Sequence, residues 1–249
     1  MHGEVWRGFA IFTKIFKMRN VLLFAGIVLM LVSCSGIQGS GNIITEKREV
    51  KEFKGISTGG AYDVELTNGP FSVEVEADDN VQQYVETEVE GGILKIRNRD
   101  NFGLSNAHVK IYVSAPEIKS LKSSGAANIN SKDLFKSNEK VSLETSGAAS
   151  IKAEFDAPEV EAESSGASKI ELSGRTREYT AKASGSADIK SSGLLTESTE
   201  ASASGASSIR VHASVNLNAE ASGSASIYYR GGAVVHQKTS GAADVKKDD

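Results

Sequence analysis

The chain has little of several things on which folds and functions commonly depend. Of its 249 residues one is a cysteine, Cys34, so no intrachain disulfide staples the fold. Its histidines are few, and His108, His212 and His236 are scattered without ligand spacing, which reads as solvated strand positions. A basic excess is missing as well: the net charge is −4, and setting aside residues 1–33, with four basic and one acidic side chain, deepens it to −7. That balance excludes a nucleic-acid footprint, which needs a basic face. The main apolar run, Val21 to Val32, is 12 residues long, short of the about 20 that span a bilayer. The i, i+3, i+4 apolar spacing of a helical repeat is absent. So are the Gly-x-Ser-x-Gly nucleophile elbow and the calcium nonapeptide Gly-Gly-x-Gly-x-Asp, while Gly39-x-Gly41 precedes no helix that would make it a phosphate loop. No catalytic residue and no cofactor are expected.

What the chain has is repetition. Seven hexads begin Ser-Gly and end in Ile or Val, from Ser124–Ile129 to Ser240–Val245. Their glycines stand at 125, 147, 166, 185, 205, 223 and 241, in steps of 22, 19, 19, 20, 18 and 18 residues. A step of about 20 residues marks a stacked repeat. Six places before the glycine stand Val141, Val160, Tyr179, Thr199, Leu217 and Val235, and four before stand Leu121, Leu143, Ala162, Ala181, Ala201 and Ala219. The places between are polar or small, an alternation of period two that makes strand with one buried face. The expected fold is therefore all-β: a single-stranded parallel β-helix of about 18–22 residues per rung, with a less regular N-terminal β region. The same parity would turn the glycines inward, where a missing Cβ lets backbones approach. Three places before the glycine runs a charged column, Lys122, Glu144, Glu163, Lys182, Ser202, Glu220 and Lys238, in which only Glu144 beside Glu163 is a like pair.

Residues 1–33 read as a targeting segment. Lys14, Lys17 and Arg19 precede the apolar run, and Met18 offers a second start. Leu31-Val32-Ser33-Cys34 resembles the lipobox of bacterial lipoproteins, which implies cleavage before Cys34 and lipidation of its thiol and amino group. Residues 34–46 read as a flexible Ser/Gly-rich tether, with no acidic run after Cys34 of the kind that directs surface export. Residues 47–116 read as irregular capping strands, including Phe53–Ser57, Tyr62–Leu66, Phe71–Val75, Ile93–Ile96 and Val109–Val113, with turns at Asn68-Gly69-Pro70 and Gly91-Gly92. Gly60-Ala61-Tyr62-Asp63-Val64 already carries the glycine-plus-four pattern. Residues 117–249 are the Ser-Gly-Ala repeats.

The blocks FKGISTGGAYDVELTNG, VEVEADDNVQQYVETEVEGGILKIRN and VKIYVSAPEIKSLKSSGAANI, followed by serial SGAA hexads, resemble the GIN-domain family (DUF2807), the autotransporter-adhesin head domain. The resemblance covers residues 47–245 and implies a β-helical envelope lipoprotein with no assigned catalytic residues. The expected function is a lipid-anchored, non-catalytic binding module of the cell envelope. Its membrane-lipid contact is through Cys34, and its ligand is a glycan or an envelope protein; outer-membrane placement is expected, with periplasmic and surface faces both open. Two alternatives stand beside it: a polysaccharide-acting enzyme, with a groove drawn from residues 78–112, and a structural spacer. The candidate binding stripe is the outward hydroxyl column Ser124, Ser146, Ser165, Ser184, Ser204, Ser222 and Ser240, set against the plainer reading that Ser-Gly-Ala is what a tight solenoid corner accepts. Asp78, Asp79, Glu86 and Glu88 form an acidic group that a hard cation would suit, although a charged strand face and turn explains them more simply.

Overall fold

Twenty strands account for most of the described chain, which comprises residues 36–99 and 103–248 of the computed structural model. Cys34 and residues 1–33 lie outside it. The first strands are β1 (Ile37–Gln38), β2 (Ile43–Arg48), β3 (Gly55–Gly60), β4 (Asp63–Asn68) and β5 (Ser72–Asp78). Then come β6 (Val85–Glu90), β7 (Ile93–Asn98), β8 (Leu104–Ser105) and β9 (Val109–Ala115). The repeats supply β10 (Ser120–Gly125), β11 (Asn128–Lys136), β12 (Val141–Thr145), β13 (Ser150–Gly166), β14 (Lys169–Gly185) and β15 (Asp188–Ala203). They end with β16 (Ser208–His212), β17 (Asn216–Gly223), β18 (Ser226–Arg230), β19 (Val234–Gly241) and β20 (Asp244–Lys247).

Period-two alternation puts one side of every rung inside, and stacking joins those insides into a core. One wall runs β7, β3, β10 and β12, then the second halves of β13, β14 and β15, then β17 and β19, all parallel. The other runs β9, β4, β11, the first halves of β13, β14 and β15, then β16, β18 and β20, again parallel. The fold is the parallel β-helix that the repeat implies. Leu121, Leu143, Ala162, Ala181, Ala201 and Ala219 form one buried column, and Ile129, Ile151, Ile170, Ile189, Ile209 and Ile227 face it from the other wall. No rung closes such a core alone, so each depends on its neighbours.

The glycines correct the sequence expectation. They are exposed and do not point inward. Each sits at φ between +72° and +79°, a left-handed conformation at the corner that joins the two walls. The inward positions are the residues two before and two after, among them Ser123, Thr145, Ser164, Ala127, Ala149 and Ser168, all buried. Stacking adds a second demand on the glycine. A Cβ on Gly125 would lie 2.7 Å from the carbonyl oxygen of Gly60, and every later glycine of the column meets its predecessor's carbonyl at 2.8–3.0 Å. That space is needed because the residue after each glycine donates its N–H to the preceding glycine's carbonyl, as Ala126 does to Gly60 and Ala148 to Gly125, both at 2.7 Å.

The N-terminal end departs from parallel stacking. β5 pairs antiparallel with both β9 and β2, and β6 folds back on β7 through the positive-φ pair Gly91-Gly92. The segment read as a flexible tether is ordered from Ile37 onward. β1 pairs with β8, β2 with β5, and the turn between them is fastened at Asp78 and Asp79. β3 and β4 belong to the solenoid proper, since Gly60 aligns with Gly125 and Val64 with Ile129.

Candidate functional site

In-register stacking turns each outward position into a column with a repeat of about 4.8 Å. The serines directly before the glycines form one such column along the corner, with Ser165 opposite Ser184 and Ser222 opposite Ser240. Ser184, Ser204 and Ser240 are exposed, the other four are partly buried, and none belongs to the core. Their hydroxyls are not uniformly free: Ser124 Oγ donates to the Thr58 carbonyl at 3.2 Å, and Ser165 Oγ approaches that of Thr145 at 3.5 Å. Behind the corner lies a buried hydroxyl cluster. Thr145 Oγ1 donates to Ser164 Oγ at 2.9 Å, and Ser168 Oγ stands 3.0 Å from Thr145 Oγ1 and 2.8 Å from Ser164 Oγ. Ser168 also donates to the Ser165 carbonyl at 2.8 Å, so the corner is braced from inside.

The charged column pairs as its signs require. Lys122 Nζ donates to both Glu144 oxygens at 2.9 Å. The like pair Glu144 and Glu163 is relieved on one side by Lys182, which reaches Glu163 at 2.8 Å and Glu161 at 3.0 Å. These two carboxylates, Glu163 first, hold the Lys182 ammonium above its ordinary value. Hydrogen bonds from Lys140 and then Lys182 hold Glu161 below the usual carboxylate range.

The four acidic candidates do not converge. Asp78 is 2% exposed and accepts the Gly41 N–H at 2.6 Å and the His108 N–H at 2.8 Å. Asp79 accepts from Asn42 Nδ2 at 2.9 Å and from the Asn80 N–H at 2.7 Å, and hydrogen bonds, first from Ser40 and then Asn42, lower its pKa. Glu86 and Glu88 lie on β6 and share Arg97, at 2.8 and 3.3 Å. Both pairs are thus committed to holding the N-terminal end together. No group of three or more His, Cys, Asp or Glu among the described residues is placed to hold a metal ion. His108 contacts Glu76 at 2.8 Å, and His236 is exposed on β19. His212 is different, because its Nδ1 accepts the Thr196 N–H at 3.3 Å at the corner opposite the glycines.

That second corner carries a groove of about 640 Å³ bordered by Asp156, Arg175, Arg177, Leu195, Glu197 and His212. None of these was singled out as a site from sequence. The signal that would have found them is departure from the repeat: at this corner the rungs differ in length and residue type, while the glycine corner hardly changes.

Residues 52–233 match the family described as "Putative auto-transporter adhesin, head GIN domain", DUF2807. No curated protein matches the chain. Among solved structures, a "putative adhesin" from Bacteroides fragilis is 20% identical with a TM-score of 0.79, covering 86% of this chain and 100% of its own. A "putative lipid binding protein" from Parabacteroides distasonis is 23% identical with a TM-score of 0.70, covering 86% and 100%. A "putative adhesin" from Parabacteroides merdae is 22% identical with a TM-score of 0.67, covering 86% and 99%. At such identities the likeness is one of fold. The family match spans most of the chain, and the chain belongs to the DUF2807 GIN-domain family.

Proposed function

We propose that this member of the DUF2807 family is a lipid-anchored, non-catalytic binding module of the cell envelope. Cys34 holds it to membrane lipid, and the solenoid wall is offered to a glycan or an envelope protein. The observation that carries the reading is the stacking itself: outward side chains recur in straight columns at about the rung spacing, a lattice suited to a partner that also repeats. The seven-serine column is the stripe that sequence alone nominates for docking. The carboxylates that an enzyme acting on polysaccharide would draw from residues 78–112 are instead engaged in turn and hairpin contacts, which favours binding over turnover.

Three measurements test this. Cys34→Ser should move the mature protein from the membrane fraction to the soluble fraction; continued membrane association would remove the anchor from the proposal. Protease shaving of intact cells then decides the face. Loss of the protein while a periplasmic control survives makes adhesion or external glycan capture the role, whereas survival until the outer membrane is opened directs the search to envelope partners. A broad screen of glycans and envelope proteins that returns no binder would sink the binding reading.

A further inference from the structure

Opposite the glycines the solenoid turns again, and there the side chains are large, charged and different in each rung. Asp156, Arg175 and Leu195 follow one another on successive rungs, in register. Asp156 Oδ2 accepts from Arg175 Nη2 at 2.8 Å. One step further along, Arg177 and Glu197 occupy neighbouring rungs, bracketed by the aligned pairs Thr176 with Thr196 and Glu178 with Ser198. Both are exposed, and neither has an ion-pair partner within 4.0 Å among the described residues. Leu195 is 52% exposed, an apolar side chain in the middle of this polar rim. Because the Thr196 N–H donates to His212 Nδ1, the neutral ring carries its proton on Nε2. Gly174, just before Arg175, sits at φ +110°, and a Cβ there would fall 2.0 Å from the Phe155 carbonyl oxygen, so stacking fixes the backbone under this rim and leaves the side chains around it free to vary.

We propose that this second-corner groove, not the serine stripe, is the ligand site, and that it takes an internal unit of a neutral glycan chain. The inference rests on the reading of the chain as a binding module and names where that module binds. The groove, of about 640 Å³, is open and shallow, which suits one internal unit of a longer chain better than an enclosed small molecule. Its charge is balanced, two guanidinium groups against two carboxylates, so a polyanion would meet Asp156 and Glu197 and a polycation would meet Arg175 and Arg177. A neutral polyhydroxyl ligand suits such a set, since each hydroxyl can donate to a carboxylate and accept from a guanidinium. Leu195 supplies an apolar contact for the C–H face of a sugar ring. Arg177 and Glu197 are the groups left to hydrogen-bond it, because Asp156 and Arg175 already satisfy one another in part.

The test uses the full chain in detergent micelles on an array of neutral gluco-, manno- and N-acetylglucosamine oligomers, with uronate oligomers as polyanionic controls. A neutral oligomer should bind, and Arg177→Ala or Glu197→Ala should weaken it about tenfold or more, the loss of one charge-assisted hydrogen bond. Ser184→Ala with Ser204→Ala should leave it unchanged. Neither Arg177 nor Glu197 has an ion pair to lose, so both variants should melt with the parent. Neutral binding that survives both groove variants but falls with the serine variant would overturn the groove and leave the binding-module reading standing, as would a signal confined to uronates. A chain that captures an envelope protein and no glycan would overturn the groove alone. A chain that binds neither would overturn both.

Discussion

The two corners of the solenoid pose the same geometric problem and solve it in opposite ways. At the glycine corner the answer is one phrase, Ser-Gly-Ala or Ser-Gly-Ser, stacked from Gly125 to Gly241 with Gly60 as its foundation. Each glycine is held by a left-handed φ and by the preceding carbonyl beneath it, and neither constraint refers to a ligand. At the opposite corner the rungs offer Asp156, Arg175 and Leu195 in turn, backed by Phe155 in one rung and by no side chain at all at Gly174 in the next. Backbone packing dictates Gly174 too, with a carbonyl 2.0 Å from where its Cβ would lie, but around it the variety of residues marks side chains left to other uses. A conspicuous repeat is weak evidence for a binding stripe when the packing already explains it.

The comparison breaks most easily at the glycines. Gly166→Ala would place a methyl group 2.9 Å from the Gly147 oxygen at φ +79°. The left-handed conformation alone costs about 1–2 kcal/mol, and the clash must be relieved by parting the rungs, so a loss of about 3 kcal/mol is expected in urea or thermal unfolding. Gly193→Ala, toward the other corner, lacks a positive φ and meets nothing closer than 3.4 Å. It should stay within about 0.5 kcal/mol of the parent. Equal losses at the two sites would abolish the distinction between a packed corner and a permissive one.

A smaller effect sharpens the same contrast from inside. Thr145, 1% exposed, shares its hydroxyl with Ser164 and Ser168, so Thr145→Val keeps the shape and leaves two buried hydroxyls short of a partner. A destabilisation of about 1–2 kcal/mol is expected. The same change at Thr239, the equivalent place in the exposed β19, should cost far less. If Thr145→Val were neutral, the hydroxyl cluster would be filler and the corner would be held by its backbone ladder alone.

Much of this was legible in advance, for one physical reason. In a parallel, in-register stack the sequence period is the spatial period, so Leu143 over Ala162 or Glu163 beside Lys182 can be read directly from spacing. What escaped was whatever the period does not carry. Parity assigned Gly125 to the core because a left-handed residue leaves no trace in an apolar–polar pattern; Ser123 and Ala127 keep their inward places while the glycine between them turns out. The order of residues 37–46 depends on contacts such as Gly41 to Asp78, which are far apart in the chain and occur once. The groove escaped because the column at its corner repeats no residue type: Asp156, Arg175 and Leu195 stack in register yet share neither charge nor polarity, and a register shift after Glu171 breaks the period there.

The smallest expected effect concerns the wall between the corners, where Lys182 bridges Glu161 and Glu163. Glu161 is held below the ordinary carboxylate range, so the stability it contributes is present above its unfolded value, about pH 4.3, and is lost as pH falls through the lower folded value. Lys182 is held above its ordinary value, so its contribution is complete below about pH 10 and is lost only as pH rises through the folded value. The Lys182 side chain is 48% exposed, and solvent screening keeps the network weak. Lys182→Met should therefore cost less than about 1 kcal/mol at pH 7, and the difference from the parent should shrink in 1 M salt, where the Debye length is about 3 Å, and near pH 3. A loss that persisted in high salt and at low pH would mean that the Lys182 stem supports the wall by packing. Charge would then set little beyond the register of neighbouring rungs, and the wall would join the glycine corner as a surface dictated from within.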